Sequence, residues 1–208
     1  MTKFSNDLII SGYLECAKND RKACELLYGN KQFPLAVYHL QQYIEKLSKA
    51  FALEFERCLV SEVVNSHDIL EILEKGQRRL GLLKKDEMFQ LKNWADGIDT
   101  VTSITEEDIE MMLDDLSVTF EASLPDYVKD VTFEELSVTA RYYATITALC
   151  ILTRQHGIST RYPAVYHDMI DYSSYTIDSG LVRSFTPLFA HAVEIERFLS
   201  ERTKSSGR

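Results

Sequence analysis

The sequence predicts an all-α protein in a single domain spanning residues 1–208, and three observations carry that reading. Apolar residues recur at three- and four-residue spacing, and strand-like alternation is rare. Glycine and proline are scarce, at 8 and 4 residues in 208. The few helix-stopping signals fall between long periodic stretches. Hydrophobic residues at 45% and charged residues at 26% place the chain among ordinary globular proteins rather than disordered ones.

Residues 4–28 read as one helix, with Ile10, Leu14, Ala17, Cys24 and Leu27 on its apolar stripe. The run GNKQFP, residues 29–34, supplies the stop, with Gly29 suited to a left-handed C-cap and Pro34 to the first turn of the next helix. That second helix has Val37, Leu40, Ile44, Leu47 and Phe51 at alternating three- and four-residue steps, beside a polar stripe of His39, Gln42, Lys46 and Lys49. Two antiparallel helices on a short connection follow. Ser66 is a natural N-cap for the helix after it, with Asp68 complementing the dipole and His67 held by a local hydrogen bond.

Residues 82–131 stand out as an acidic insertion. They hold 13 acidic against 4 basic residues, which accounts for the whole net charge of −9, and the remainder is balanced at 19 of each sign. A chain-wide basic footprint for nucleic acid is therefore excluded, and any surface facing RNA has to be a local patch. Inside the insertion, Thr105 to Asp108 opens a helix reaching about Phe120 in the manner of a capping box. Thr132 and Glu135 have the same spacing ahead of a long helix over 133–156 that Gly157 closes. Thr186-Pro187 starts a last helix with Leu188, Ala192, Ile195 and Leu199 on its stripe, and the tail TKSSGR is expected to fray.

No apolar run is long enough to cross a bilayer, and the N-terminus lacks a signal-peptide pattern, so a cytoplasmic protein is expected, with no membrane contact. The four cysteines, Cys16, Cys24, Cys58 and Cys150, are scattered without CxxC pairing and read as buried reduced thiols. No metal and no cofactor is implied. The carboxylates Glu106, Glu107, Asp108, Glu110, Asp114 and Asp115 read as a solvated helix face, since no His or Cys completes a ligand set.

The order of features resembles the HEPN family, named for higher eukaryotes and prokaryotes nucleotide-binding. The residues that carry the resemblance are AKNDRKACELL in the first helix, AVYHLQQYIEKLSKAF in the second, then SHDILEIL, a long helix and TRYP. The second-helix pattern is the most specific, with His39, Gln41, Gln42, Glu45, Lys46 and Lys49 where the family places such residues. The match covers residues 7–74 and 139–167, and the insertion at 82–131 has no counterpart in a minimal member. The resemblance implies an up-and-down helical bundle, here with an inserted helical segment, a homodimer, and a nucleotide or RNA ligand. Many such proteins are metal-independent endoribonucleases with an Arg-x(4–6)-His motif, often toxins; others are inactive partners of small nucleotidyltransferases.

Arg161 and His167, in STRYPAVYHD, match that motif with five residues between them. The chemistry is apt: histidine takes the 2′-hydroxyl proton near neutral pH, and a guanidinium holds the phosphate. Eleven arginines and five histidines produce about 0.8 such spacings by chance, so the position after the long helix, not the spacing, gives the pair weight. Tyr162 and Pro163 make the segment resemble family members whose arginine is structural. Three function classes stay open: a nucleotide- or RNA-directed module with His39, Gln42, Lys46, Lys49 and Tyr162 on its binding surface; an endoribonuclease using Arg161 and His167; and a docking protein that presents the acidic insertion. For His39 the blander reading is a hydrogen-bonded residue at the core edge, and for Lys46 and Lys49 a solvated face. Tyr142, Tyr143, Tyr162 and Tyr166 suit either base stacking or internal packing.

Overall fold

The computed structural model describes residues 6–55, 58–66, 69–80, 104–123, 133–154 and 175–206. Every regular element among them is helical: α1 Asn6–Gly29, α2 Phe33–Glu54, α3 Val60–Asn65, α4 Ile69–Leu80, α5 Glu106–Ser123, α6 Phe133–Thr153, α7 Gly180–Arg183 and α8 Phe185–Ser206. They form a bundle around α2, which packs against α1, α3, α4, α6 and α8.

The predicted stripes are the buried ones, except that Leu27 at the end of the α1 stripe is half-buried. Val37, Leu40, Ile44, Leu47 and Phe51 of α2 lie in the core, as do Ile10, Leu14, Ala17 and Cys24 of α1 and Leu188, Ala192, Ile195 and Leu199 of α8. α8 does not stop at the tail but continues to Ser206. In α6 the residues from Tyr143 to Thr153 are all buried, which is the signature of a helix enclosed on every side. Its polar members are met locally or across the core. Thr145 and Thr153 donate to the carbonyls one turn back, at 2.8 and 2.7 Å, and Gln77 of α4 donates to Thr147 Oγ1 at 3.0 Å.

The insertion is more than an acidic appendage. α5 packs along α6 and buries Ile109, Met112, Leu113, Leu116 and Phe120, with the Phe120 ring 5.8 Å from that of Tyr143. Its start is a capping box: Thr105 N and Oγ1 both donate to Asp108 Oδ2, and the Asp108 N–H returns a bond to Thr105 Oγ1 at 3.2 Å.

Two local expectations differ from the structure, and one short helix was not anticipated. The left-handed residue closing α1 is Lys31, at φ 59°, while Gly29 is still helical. The Gln32 N–H reaches the Leu27 carbonyl and the Lys31 N–H reaches that of Tyr28, both at 2.9 Å, which together make a Schellman closure two residues later than the glycine suggests. Cys16 is exposed, unlike the buried Cys24, Cys58 and Cys150. The short α3 had no periodic signal; it is fixed by Glu62, which accepts the Leu59 N–H at 2.8 Å and pairs with Arg79 of α4. The expected caps at Thr132 and Gly157, the Glu135 side chain, and His67 and Asp68 lie outside the described residues.

Two predictions follow from these closures. Lys31→Gly relieves the left-handed conformation and is expected to stabilise the protein by about 1 kcal/mol. Gly29→Ala, at a site with open space for a Cβ, should add about 0.5 kcal/mol, both read by urea denaturation. Separately, the Arg79 guanidinium and then the Leu59 N–H hold Glu62 down at about 2 from an ordinary 4.5. Its folded-state value is depressed, so the tie is present above about 4.5 and is lost as pH falls toward 2. A carboxyl NMR titration should place the Glu62 midpoint near 2, and Arg79→Ala should return it toward 4.5.

Candidate functional site

The polar residues of α2 do not share one fate, because the helix is nearly surrounded. His39 and Lys46 stand two turns apart on its edge toward α1, and one residue of α1 serves both. Asp20 accepts from Lys46 at 2.5 Å through Oδ2 and bonds His39 Nδ1 at 2.9 Å through Oδ1. All three side chains are partly covered, Asp20 most of all at 14% exposed. His39 is thus a hydrogen-bonded residue at the core edge, with the Tyr38 ring edge-on beside it.

One position further along α1, Arg21 turns to α8. Its Nη1 lies 3.3 Å from Glu196 Oε1, while Glu196 Oε2 accepts from the Tyr43 hydroxyl of α2 at 2.6 Å. Tyr43 is fully buried and Glu196 nearly so. Burial first, then the adjacent Glu196 carboxylate, pushes the Tyr43 hydroxyl well above its ordinary value, so it stays a donor. This node joins α1, α2 and α8.

Lys49 is the residue of the predicted set that points inside, and the solvated-face reading fails for it. Its side chain is 8% exposed, 3.0 Å from Glu45 and over the Tyr13 ring at 5.9 Å. Gln42 stands on the same edge as His39 and Lys46, donating to Gln41 Oε1 at 2.6 Å and lying 3.3 Å from Glu45 Oε2. The next row around the helix, Gln41 and Glu45, borders a shallow cleft of about 30 Å³, room for about one water, lined also by Ile44, Leu70, Cys150, Thr153 and Arg154. Arg154 follows the last residue of α6, and the chain runs on from it toward STRYPAVYHD. Arg161, Tyr162, Tyr166 and His167 lie outside the described residues.

Two of the four tyrosines named from sequence are packed internally. Tyr143 meets Phe51 edge-on at 4.9 Å, and Tyr142 stacks on Phe198 at 3.8 Å. Sequence reasoning missed Asp20, Arg21 and Glu196. Asp20 had a signal, since it lies within the first-helix motif, whereas nothing local links Arg21 to Glu196 across the length of the chain. Among the described residues, no three His, Cys, Asp or Glu side chains converge as a metal site requires, and no helix is long and apolar enough to cross a membrane.

Comparison with models of known protein families, with curated proteins and with solved structures gave no match.

The buried node makes a direct prediction. Tyr43→Phe leaves the Glu196 carboxylate short of its best donor inside the bundle and is expected to cost about 1–3 kcal/mol in urea denaturation, with the helical circular dichroism of the folded state unchanged.

Proposed function

We propose that this chain is a HEPN-like helical module directed at a nucleotide or RNA, acting in the cytoplasm as a homodimer and paired with a minimal nucleotidyltransferase in a toxin–antitoxin-type system. The observation that carries this reading is the polar edge of α2. His39, Gln42 and Lys46, which the resemblance assigns to that helix, stand on it, and the neighbouring row of Gln41 and Glu45 leads to the cleft beside Arg154. Gln41 and Glu45 share that cleft with Thr153 and Arg154 at the end of α6, the helix that precedes Arg161 in the chain.

Its electrostatics favour recognition over cleavage. Lys46 is matched by Asp20, Lys49 by Glu45 and Arg21 by Glu196. A ligand phosphate approaching His39 and Lys46 competes with Asp20 for both. The amide groups of Gln41 and Gln42, which bond each other and Glu45, exchange those hydrogen bonds for ones to a base edge without separating an ion pair on Asp20. The rival reading, a metal-independent endoribonuclease with Arg161 gripping phosphate and His167 as acid–base, rests on the position of the pair after α6.

One set of measurements separates the two. Across a nucleotide panel, a true ligand at a hundredfold excess over its Kd should stabilise the wild-type protein by about 2.7 kcal/mol. Arg154→Ala and Gln41→Ala should each abolish most of that shift, while RNA stays intact in EDTA. RNA cleavage in EDTA that disappears in both Arg161→Ala and His167→Ala would replace the recognition reading with the nuclease. No thermal shift and no cleavage would defeat both.

A further inference from the structure

Helix α5 has two faces, and among the described residues only one is packed inside the bundle. Ile109, Met112, Leu113, Leu116 and Phe120 face inward. At about 100° per residue, the opposite side of the helix is the row Glu107, Met111, Asp114 and Val118. Its apolar members, Met111 and Val118, are 55% and 66% exposed. Single exposed apolar residues are ordinary. Here two stand two turns apart in the centre of a helix face otherwise made of carboxylates, on a helix without one basic residue.

The carboxylates divide in the same way. Asp108, Glu110 and Glu121 are engaged by Thr105, His191 and Ser137. The side-chain carboxylates of Glu106, Glu107, Asp114 and Asp115 are exposed and have no hydrogen bond or ion pair among the described residues. The uncompensated charge is therefore the charge that surrounds Met111 and Val118.

We propose that this outer face docks a basic amphipathic helix of a partner protein, its apolar residues seated on Met111 and Val118 and its lysines or arginines on Glu107, Asp114 and Asp115. Charge selects the occupant. A second copy meeting the first through the same face would set two wholly acidic helices against each other, a like-charge juxtaposition that interfaces avoid. A nucleic acid is repelled for the same reason. A basic helix with apolar residues at three- and four-residue spacing satisfies both the stripe and its flanks. The surface is separate from the α2 edge, so it stands whether or not that edge binds a nucleotide.

The probe is a pair of labelled synthetic peptides of identical Leu, Lys and Ala content, one with leucines at helical three- and four-residue spacing and one scrambled. Fluorescence anisotropy with the wild-type protein should show the amphipathic peptide binding at least about tenfold more tightly than the scrambled one, with affinity falling as salt rises. Met111→Ser/Val118→Ser, which leaves the charge untouched, should remove that advantage, and Glu107→Lys/Asp114→Lys should weaken both peptides. Equal binding of the two peptides would overturn the proposal without any variant. So would an amphipathic preference that survives Met111→Ser/Val118→Ser. A dimer in sedimentation that is lost in that variant would reassign the face to contact between copies.

Discussion

A helix surrounded by its neighbours can carry polar side chains only where those neighbours supply partners, and α2 is such a helix. Burying a polar group without a hydrogen bond is costly, so each exception to its apolar character fixes the placement of another element. Tyr43 requires Glu196 and thereby sets the register of α8. Ser48 is met by the Ile44 carbonyl and by Cys150 Sγ of α6, at 2.7 and 2.9 Å. His39 and Lys46 require the single carboxylate of Asp20, which ties α1 alongside. Apolar packing brings these helices together without strong preference for position, and the polar contacts choose the arrangement.

The same logic separates the two surfaces that remain for recognition. On the α2 edge, cations and carboxylates are already paired, so a ligand gains only what it can offer beyond Asp20 and Glu45. On the outer face of α5, Glu107, Asp114 and Asp115 have no side-chain partner among the described residues, so a basic ligand meets no competitor there. The first surface favours directional hydrogen bonding at modest strength. The second favours fast, salt-sensitive encounter, since unscreened surface charge acts mainly on association rate.

What was legible in the sequence was whatever is decided within one or two helical turns. The stripes of α1, α2 and α8, and the Thr105–Asp108 box, depend on residues three or four apart, and they lie where the periodicity puts them. Gly29 misled because glycine tolerates a left-handed site without creating one; the closing bonds from Gln32 and Lys31 set the position instead. The Arg21–Glu196 pair and the burial of Phe120 against α6 depend on contacts between distant parts of the chain, for which one sequence has no local signature. Of the candidate site, the composition of the α2 edge was readable but its internal neutralisation was not, because Asp20 comes from the neighbouring helix.

The distribution of thiols gives the molecule a built-in gauge of its own opening. Cys16 sits on the outer surface of α1 and is open to alkylating reagents in the folded protein. Cys24, Cys58 and Cys150 are enclosed by different parts of the bundle: Cys24 bonded to the Ala36 carbonyl, Cys58 near that of Ile72 at 3.9 Å, and Cys150 against Ser48. Burial also pushes the Cys24 thiol far above its ordinary value, which suppresses its reactive thiolate. Labelling beyond the first equivalent therefore times the opening of the α1–α2, α3–α4 and α2–α6 contacts one by one, and the order of reaction ranks these interfaces by local stability.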